Sequence, residues 1–499
     1  MPRRLEPESW GRSTVQTACP LDCPDSCSLQ ITVEKGRIVK IDGGDASPTT
    51  RDFICAKVRK FADRVYGEDR LLHPAIRKGP KGQGVFTRVS WDEALDHIAA
   101  RMIDIRDRWG AEAILPYSYG GSNGLLTQDT NDATLFRAFG TSRLARTVCA
   151  APTGAANQAL YGKMAGVTYQ DYVHARLIIL WGVNPAASGI HLVPFVKEAR
   201  EAGAQLIVID PRSTTLARQA DVHVAPQPGT DLPLALAIHN YLFEHGLADT
   251  SFLAEHTHGA EQLRARAAEW TLARAADVAG VEPSLLERVA ELYANTSPAL
   301  VRCGWGLERN RNGGNAAAAI LALPAVGGKF GVRGGGFSMS NSTAWGIKAA
   351  MWADTPEPPT RLVNMNHLGR TLLDVTDPPV QMLFVYNCNP LVTVPDQNRV
   401  LRGLERDDLF TVVYEQVFTD TCRYADVLLP ATTFLENYDI AKGYGPISLQ
   451  LVRPVIEPVG EARANPEVFS DLASRLGLTE PEEETDTLLR IVGRIPGEI

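Results

Sequence analysis

The sequence predicts an α/β protein built from more than one structural unit, on two observations. Short apolar runs alternate with helical patterns through the middle of the chain and again near its end, and four of the eight cysteines fall within the first 55 residues. The alternation implies parallel sheets joined by crossover helices. The cysteine cluster implies a small metal-binding segment rather than a disulfide framework. At 499 residues the chain exceeds one ordinary core, so roughly two to four units are expected.

In chain order, the cysteine segment is followed by a hairpin over 29–33 and 37–41, turned by Glu34, Lys35 and Gly36. A helix is expected from Ser90, because Trp91, Ala94, Leu95, Ile98 and Met102 recur at helical spacing and Glu93 completes a capping box. A strand at 113–117, ended by Gly120 and Gly121, and a helix over 129–139 come next. The central strands are 176–182 and 205–210, with a helix over 192–201 between them; further helices are expected at 232–245, 283–293 and 315–323. A second set has strands at 382–386 and 410–414 bridged by a helix over 397–404, while the Pro- and Gly-rich stretch 355–379 reads as a long connection. The two α/β halves are similar enough to suggest an old duplication.

Composition narrows the function. A net charge of -8 gives no long-range attraction to nucleic acid or an anionic membrane. Apolar runs such as 381–386 are far below the roughly 20 residues of a membrane span. Met1 to Trp10 contains paired arginines but no apolar stretch follows before Cys19, so the expected location is cytoplasmic.

Cys19, Cys23 and Cys27 are each separated by three residues, and Cys55 follows at a distance. Closely spaced thiolates with a distant fourth suit a [4Fe-4S] cubane. Structural zinc and buried core cysteines remain open on spacing alone. Gly182 and Asn184 follow a parallel strand, at the edge where open α/β sheets bind ligands and where backbone amides approach phosphate. Asp210 and Asp231 offer acceptor oxygens to donor-rich groups, or serve as turn and helix-cap residues. Cys149, taken alone, reads as an ordinary packing cysteine, as do Cys303, Cys388 and Cys422.

The ordered motifs go further. The cysteine run, then Cys55-Ala56-Lys57, Leu71-Leu72-His73-Pro74, Trp91-Asp92-Glu93-Ala94-Leu95, Trp181-Gly182-Val183-Asn184-Pro185, Asp210-Pro211-Arg212, Pro228-Gly229-Thr230-Asp231, Gly304-Trp305-Gly306, Asn387-Cys388-Asn389-Pro390 and Ala425-Asp426-Val427-Leu428-Leu429-Pro430 together resemble the molybdopterin oxidoreductase family of dimethyl sulfoxide reductases, formate dehydrogenases and assimilatory nitrate reductases. The resemblance covers nearly the whole chain. It implies a small N-terminal iron-sulfur domain (15–70) and two Rossmann-like α/β domains, one discontinuous (71–150 with 335–485) and one inserted (151–334), then a tail (486–499).

It also implies molybdenum or tungsten held by two molybdopterin guanine dinucleotides, a two-electron reaction, and relay through one [4Fe-4S] cluster on Cys19, Cys23, Cys27 and Cys55. Cys149 is then the protein ligand to the metal, and Lys57 lies between cluster and pterin. Trp181, Gly182, Asn184, Asp210, Arg212, Gly229, Asp231, Gly304 and Gly306 serve one dinucleotide, and Asn389 and Asp426 the other. Expected partners are a small-molecule substrate and a redox carrier protein or electron-transfer subunit. Complete members continue into a C-terminal cap, so truncation or a separate cap polypeptide is a further expectation.

Formate fits less well, since Ala150 follows Cys149 where the formate enzymes carry a histidine; His174, His191 and His367 are distant substitutes. A non-redox hydratase or transhydroxylase, and an electron-transfer or assembly subunit lacking an active pterin centre, are the alternatives.

Overall fold

A computed structural model describes residues 11–164, 166–347 and 355–495. The paired arginines of the first ten residues lie outside them. The chain divides into two compact units: 1–148 with 346–443 and 448–499, and 149–345 with 444–447.

The first unit opens with a three-stranded antiparallel sheet, Arg12–Ala18, Ser28–Glu34 and Arg37–Gly43. The hairpin is where the sequence puts it. Lys35 and Gly36 take φ of 51° and 73°, the double left-handed turn that matches strand twist. The strand before Cys19 adds to the hairpin the sequence predicts, and its pairing sets up the metal segment. The larger sheet runs in the order Phe86–Arg88, Ala75–Arg77, Val427–Pro430, Phe410–Glu415, Met382–Tyr386, Ile114–Ser118, with the last four strands parallel. Met382–Tyr386 is buried along its whole length, because both faces of the sheet are covered. Phe384 and Tyr386 face one cluster, and Leu383 and Val385 the other.

Helix Trp91–Trp109 begins at Ser90, whose side chain accepts from the Glu93 amide in a complete capping box. Two segments differ from expectation. The stretch read as a connection contains a short strand, Leu362–Asn364, and a helix, Leu368–Asp374, whose Leu372 packs so tightly on helix Gln397–Leu404 that a Cβ on Gly403 would overlap it. A helix, Glu484–Val492, runs into the segment set apart as a tail and is tied down by Arg490, which donates to Asn131 Oδ1 at 2.8 Å, and by Glu484, which accepts from the Tyr438 amide at 3.0 Å.

The second unit holds a five-stranded parallel sheet in the order Val222–Val224, Gln205–Ile209, Leu177–Trp181, Ala299–Cys303, Gly336–Ser338. Leu177, Ile179 and Trp181 face helices Asp231–Glu244 and Gly313–Val326, while Ile178 and Leu180 face helix Leu192–Glu201. The two-residue alternation of a strand thus covers both faces.

Candidate cofactor sites

Cys19 and Cys27 close the first hairpin. Their strands pair Ala18 with Ser28, and the Cys19 amide continues the ladder by donating to the Cys27 carbonyl at 2.8 Å. Cys23 sits on the loop between them, and Cys55 is the residue before helix Ala56–Arg59. The four thiols lie close enough to act on one another: burial first, then the neighbouring cysteines Cys23 and Cys55, push Cys19 up to about 12, with the Leu21 amide and Lys57 opposing. Burial and the other three thiols raise Cys27 as well.

Among the described residues no three His, Cys, Asp or Glu side chains converge as a single ion requires. A cubane gives each thiolate its own iron. Lys57 and Lys60 line a cavity of about 790 Å³ in the same unit, together with Asn387, Asn389, Glu415 and Asn465.

In the second unit, Gly182, Asn184, Asp210, Arg212, Asp231 and Gly306 line a cleft of about 200 Å³ at the carboxyl edge of the sheet. Each has a local cause. Gly182 has a φ of 63°, turning the chain outward. Asp210 follows strand Gln205–Ile209 and accepts from the Arg212 amide at 2.8 Å through Oδ1. Asp231 opens helix Asp231–Glu244 and accepts from the indole nitrogen of Trp181 at 2.8 Å; burial raises its carboxyl, against that hydrogen bond. Gly304 packs beneath, where a Cβ would overlap the Gly182 carbonyl, and Gly229, at a φ of 90°, turns beside Asn310. Asn184 Oδ1 is buried with no partner among the described residues. An acceptor waiting beside two carboxylates and exposed backbone matches a donor-rich base and ribose with a phosphate behind it.

The first unit repeats this arrangement at a constant offset along the chain. Trp181 corresponds to Tyr386, Gly182 to Asn387, Asn184 to Asn389, Asp210 to Glu415, and Asp221 to Asp426. The correspondence is physical. Asn387 has a φ of 56°, close to that of Gly182. A Cβ on Gly306 would lie 2.9 Å from the Gly182 carbonyl, and one on Gly121 3.2 Å from that of Asn387.

Asp426 therefore leaves the candidate site. It precedes strand Val427–Pro430, at the amino end, whereas ligands approach the carboxyl end. Its oxygens are taken by Arg77 at 2.7 Å, Lys81 at 3.2 Å and the Thr411 amide at 2.7 Å. Asp221 accepts from the Leu206 amide at 2.7 Å in the same place of the other sheet. Glu415 is the residue sequence reasoning missed. It lines the cavity, and burial raises its carboxyl, against the Gln416 amide, Arg64 and Arg70. Superposing the two motif series was the signal that could have found it.

Cys149 lies just before helix Ala151–Tyr161 and is partly exposed. Cys303 and Cys422 are fully buried, as expected of packing residues, while Cys388 lines the cavity of the first unit.

Comparison with known proteins decides the family. The molybdopterin oxidoreductase profile matches residues 70–475, and the profile of the molybdopterin oxidoreductase Fe4S4 domain matches residues 12–67. The chain belongs to the molybdopterin oxidoreductase family. Family membership makes it a molybdopterin-dependent oxidoreductase with a [4Fe-4S] cluster domain at its start. It is 40% identical over 478 residues to Probable oxidoreductase YoaE of Bacillus subtilis (strain 168), spanning 95% of this chain and 70% of that protein. To Dimethyl sulfoxide reductase DmsA of Escherichia coli (strain K12) it is 27% identical over 545 residues, covering 96% of this chain and 66% of DmsA. Acetylene Hydratase from Pelobacter acetylenicus shares the fold, with a TM-score of 0.79 at 22% identity over 93% of this chain and 69% of the other.

Proposed function

We propose that each unit holds the guanosine end of one molybdopterin guanine dinucleotide at its sheet edge, with Cys149 as thiolate ligand to molybdenum or tungsten. The observation that carries this reading is the repeat: a left-handed residue, an asparagine, a strand-end carboxylate and a close-packed glycine recur in both sheets. When bound, the metal-dithiolene group supplies a two-electron redox change. The chain supplies the rest. Asp210 and Asp231 in one unit, and Glu415 in the other, accept hydrogen bonds from the nucleoside ends, while Asn184 and Asn389 sit where each chain turns outward. Arg212 and Lys60 place positive charge beside phosphate.

Lys57, two residues after Cys55, puts a cation between the cluster ligands and the cavity wall, which lowers the cost of charge there. Electrons leave to a carrier protein or electron-transfer subunit. Ala150 after Cys149 argues against formate as the substrate.

The test is metal, sulfide and nucleotide analysis of anaerobically purified protein. One cubane, one molybdenum or tungsten and two guanine nucleotides per chain are expected; iron without a pterin would instead mark an electron-transfer or assembly subunit. A substrate-driven change in metal or cluster oxidation state separates oxidoreduction from hydratase or transhydroxylase chemistry. Cys149→Ala is expected to abolish turnover and alter the Mo(V) or W(V) resonance while sparing the iron-sulfur signal, and full activity in that variant would remove Cys149 from the metal.

A further inference from the structure

Helix Ala151–Tyr161 starts two residues after Cys149 without a cap of its own: Ala150 has no side-chain oxygen, and Pro152 has no amide hydrogen. The acceptor comes from elsewhere in the same unit. Glu308, in the turn Trp305–Arg309, accepts from the Thr153 amide at 2.8 Å and also from the Thr153 hydroxyl, both through Oε1. A carboxylate against the first turn is favoured by the amino-terminal end of the helix dipole.

Its second oxygen is different. Glu308 Oε2 is buried and has no hydrogen-bond partner among the described residues. Four residues on from Thr153 stands Asn157, 0% exposed, and neither its amide nitrogen nor its carbonyl oxygen has a partner there either. Residues four apart lie one above the other on a helix, and side chains lean back over the preceding turn. The Asn157 carboxamide therefore leans toward the turn that Glu308 holds.

Each such buried orphan costs about 1–3 kcal/mol. The three atoms offer one donor group and two acceptors. An anion would face Glu308 Oε2 and Asn157 Oδ1, and a lone cation would leave the Asn157 amide nitrogen unmet. Water can accept from the Asn157 amide nitrogen and donate to both oxygens, which satisfies all three.

We infer that an internal water joins Glu308 Oε2 to Asn157, and that Glu308 is a positioning residue for Cys149, fixing the first turn of the helix that follows it. The water site rests on the three unpartnered atoms and the four-residue helical spacing; the positioning role rests on Cys149 being the metal ligand.

A high-resolution crystal structure of the loaded protein should show water density within hydrogen-bond distance of both side chains. Its absence, with the Asn157 amide bonded elsewhere, would overturn the water site. Asn157→Leu should remove that density and keep the bond from Thr153 to Glu308. In electron paramagnetic resonance, Glu308→Ala should broaden or split the Mo(V) or W(V) signal and leave the cluster signal unchanged. Glu308→Gln, which keeps a carbonyl for the Thr153 amide, should restore one sharp signal. A metal signal identical to wild type in Glu308→Ala overturns the positioning role. If Glu308→Ala does not load metal, a broadened signal in Glu308→Gln does so. A Cys149→Ala protein with an unaltered metal signal removes the ligand assignment instead, and the density still decides the water.

Discussion

Removing the Asp210 carboxylate takes away an acceptor that already orders the Arg212 amide and faces the cleft. Hydrogen bonds to charged groups contribute about 1.5–3 kcal/mol, so Asp210→Ala should weaken retention of one guanine nucleotide about tenfold or more. Glu415→Ala should do the same to the other, both read as nucleotide per folded chain. Asp426→Ala should behave differently. It strands Lys81, whose side chain is 2% exposed, beside Arg77, and breaking a buried pair costs roughly 3–5 kcal/mol. The expected result is a lower melting temperature with nucleotide content per folded molecule unchanged. This residue also shows what the sequence hides. Asp210 and Asp426 are the same residue type next to apolar runs, and only strand direction separates the ligand edge from the structural one.

Elements set by local chemistry were legible in advance. The capping box at Ser90, the Lys35-Gly36 turn and the fully apolar parallel strands need no distant partner to be read. Helix Asn465–Arg475 was not read, because its reason for existing is tertiary: Phe469 packs on Phe136, Phe384, Tyr386 and Tyr414 from three other segments. Strand Asp439–Lys442 escaped for a similar reason. Its Asp439 is fully buried and accepts from the amides of Leu126 and Ile440 and the hydroxyl of Thr127.

Burial raises that carboxyl from 3.8 to about 6, against those hydrogen bonds. Between these values the folded state holds a proton that the unfolded state has lost, so stability falls as pH rises through the window and levels off above it. Asp439→Asn keeps an acceptor for the amides and can donate to Thr127. Its melting temperature should lack that slope between about pH 4 and pH 6. An unchanged slope would assign the titration to another group.

At the scale of the molecule, a parallel sheet with the same residue pattern at its carboxyl edge occurs in both units, and no helix among the described residues is long and apolar enough to cross a membrane. Lys57→Ala should leave the cluster spectrum intact and slow cluster reduction by substrate in stopped-flow measurements; unchanged kinetics would make it an ordinary surface cation. The repetition also predicts which positions tolerate replacement. Nature has already placed a side chain at one of the two left-handed corners, Asn387, where the other has Gly182. Gly182→Asn should therefore be accepted, the more so because a Cβ there meets only Leu307 at ordinary contact distance, 3.4 Å and beyond. Gly304→Ala should not, since the space its methyl needs is filled by the Gly182 carbonyl. In a saturation library scored for soluble holoprotein, the first glycine should drift toward asparagine while the second stays fixed.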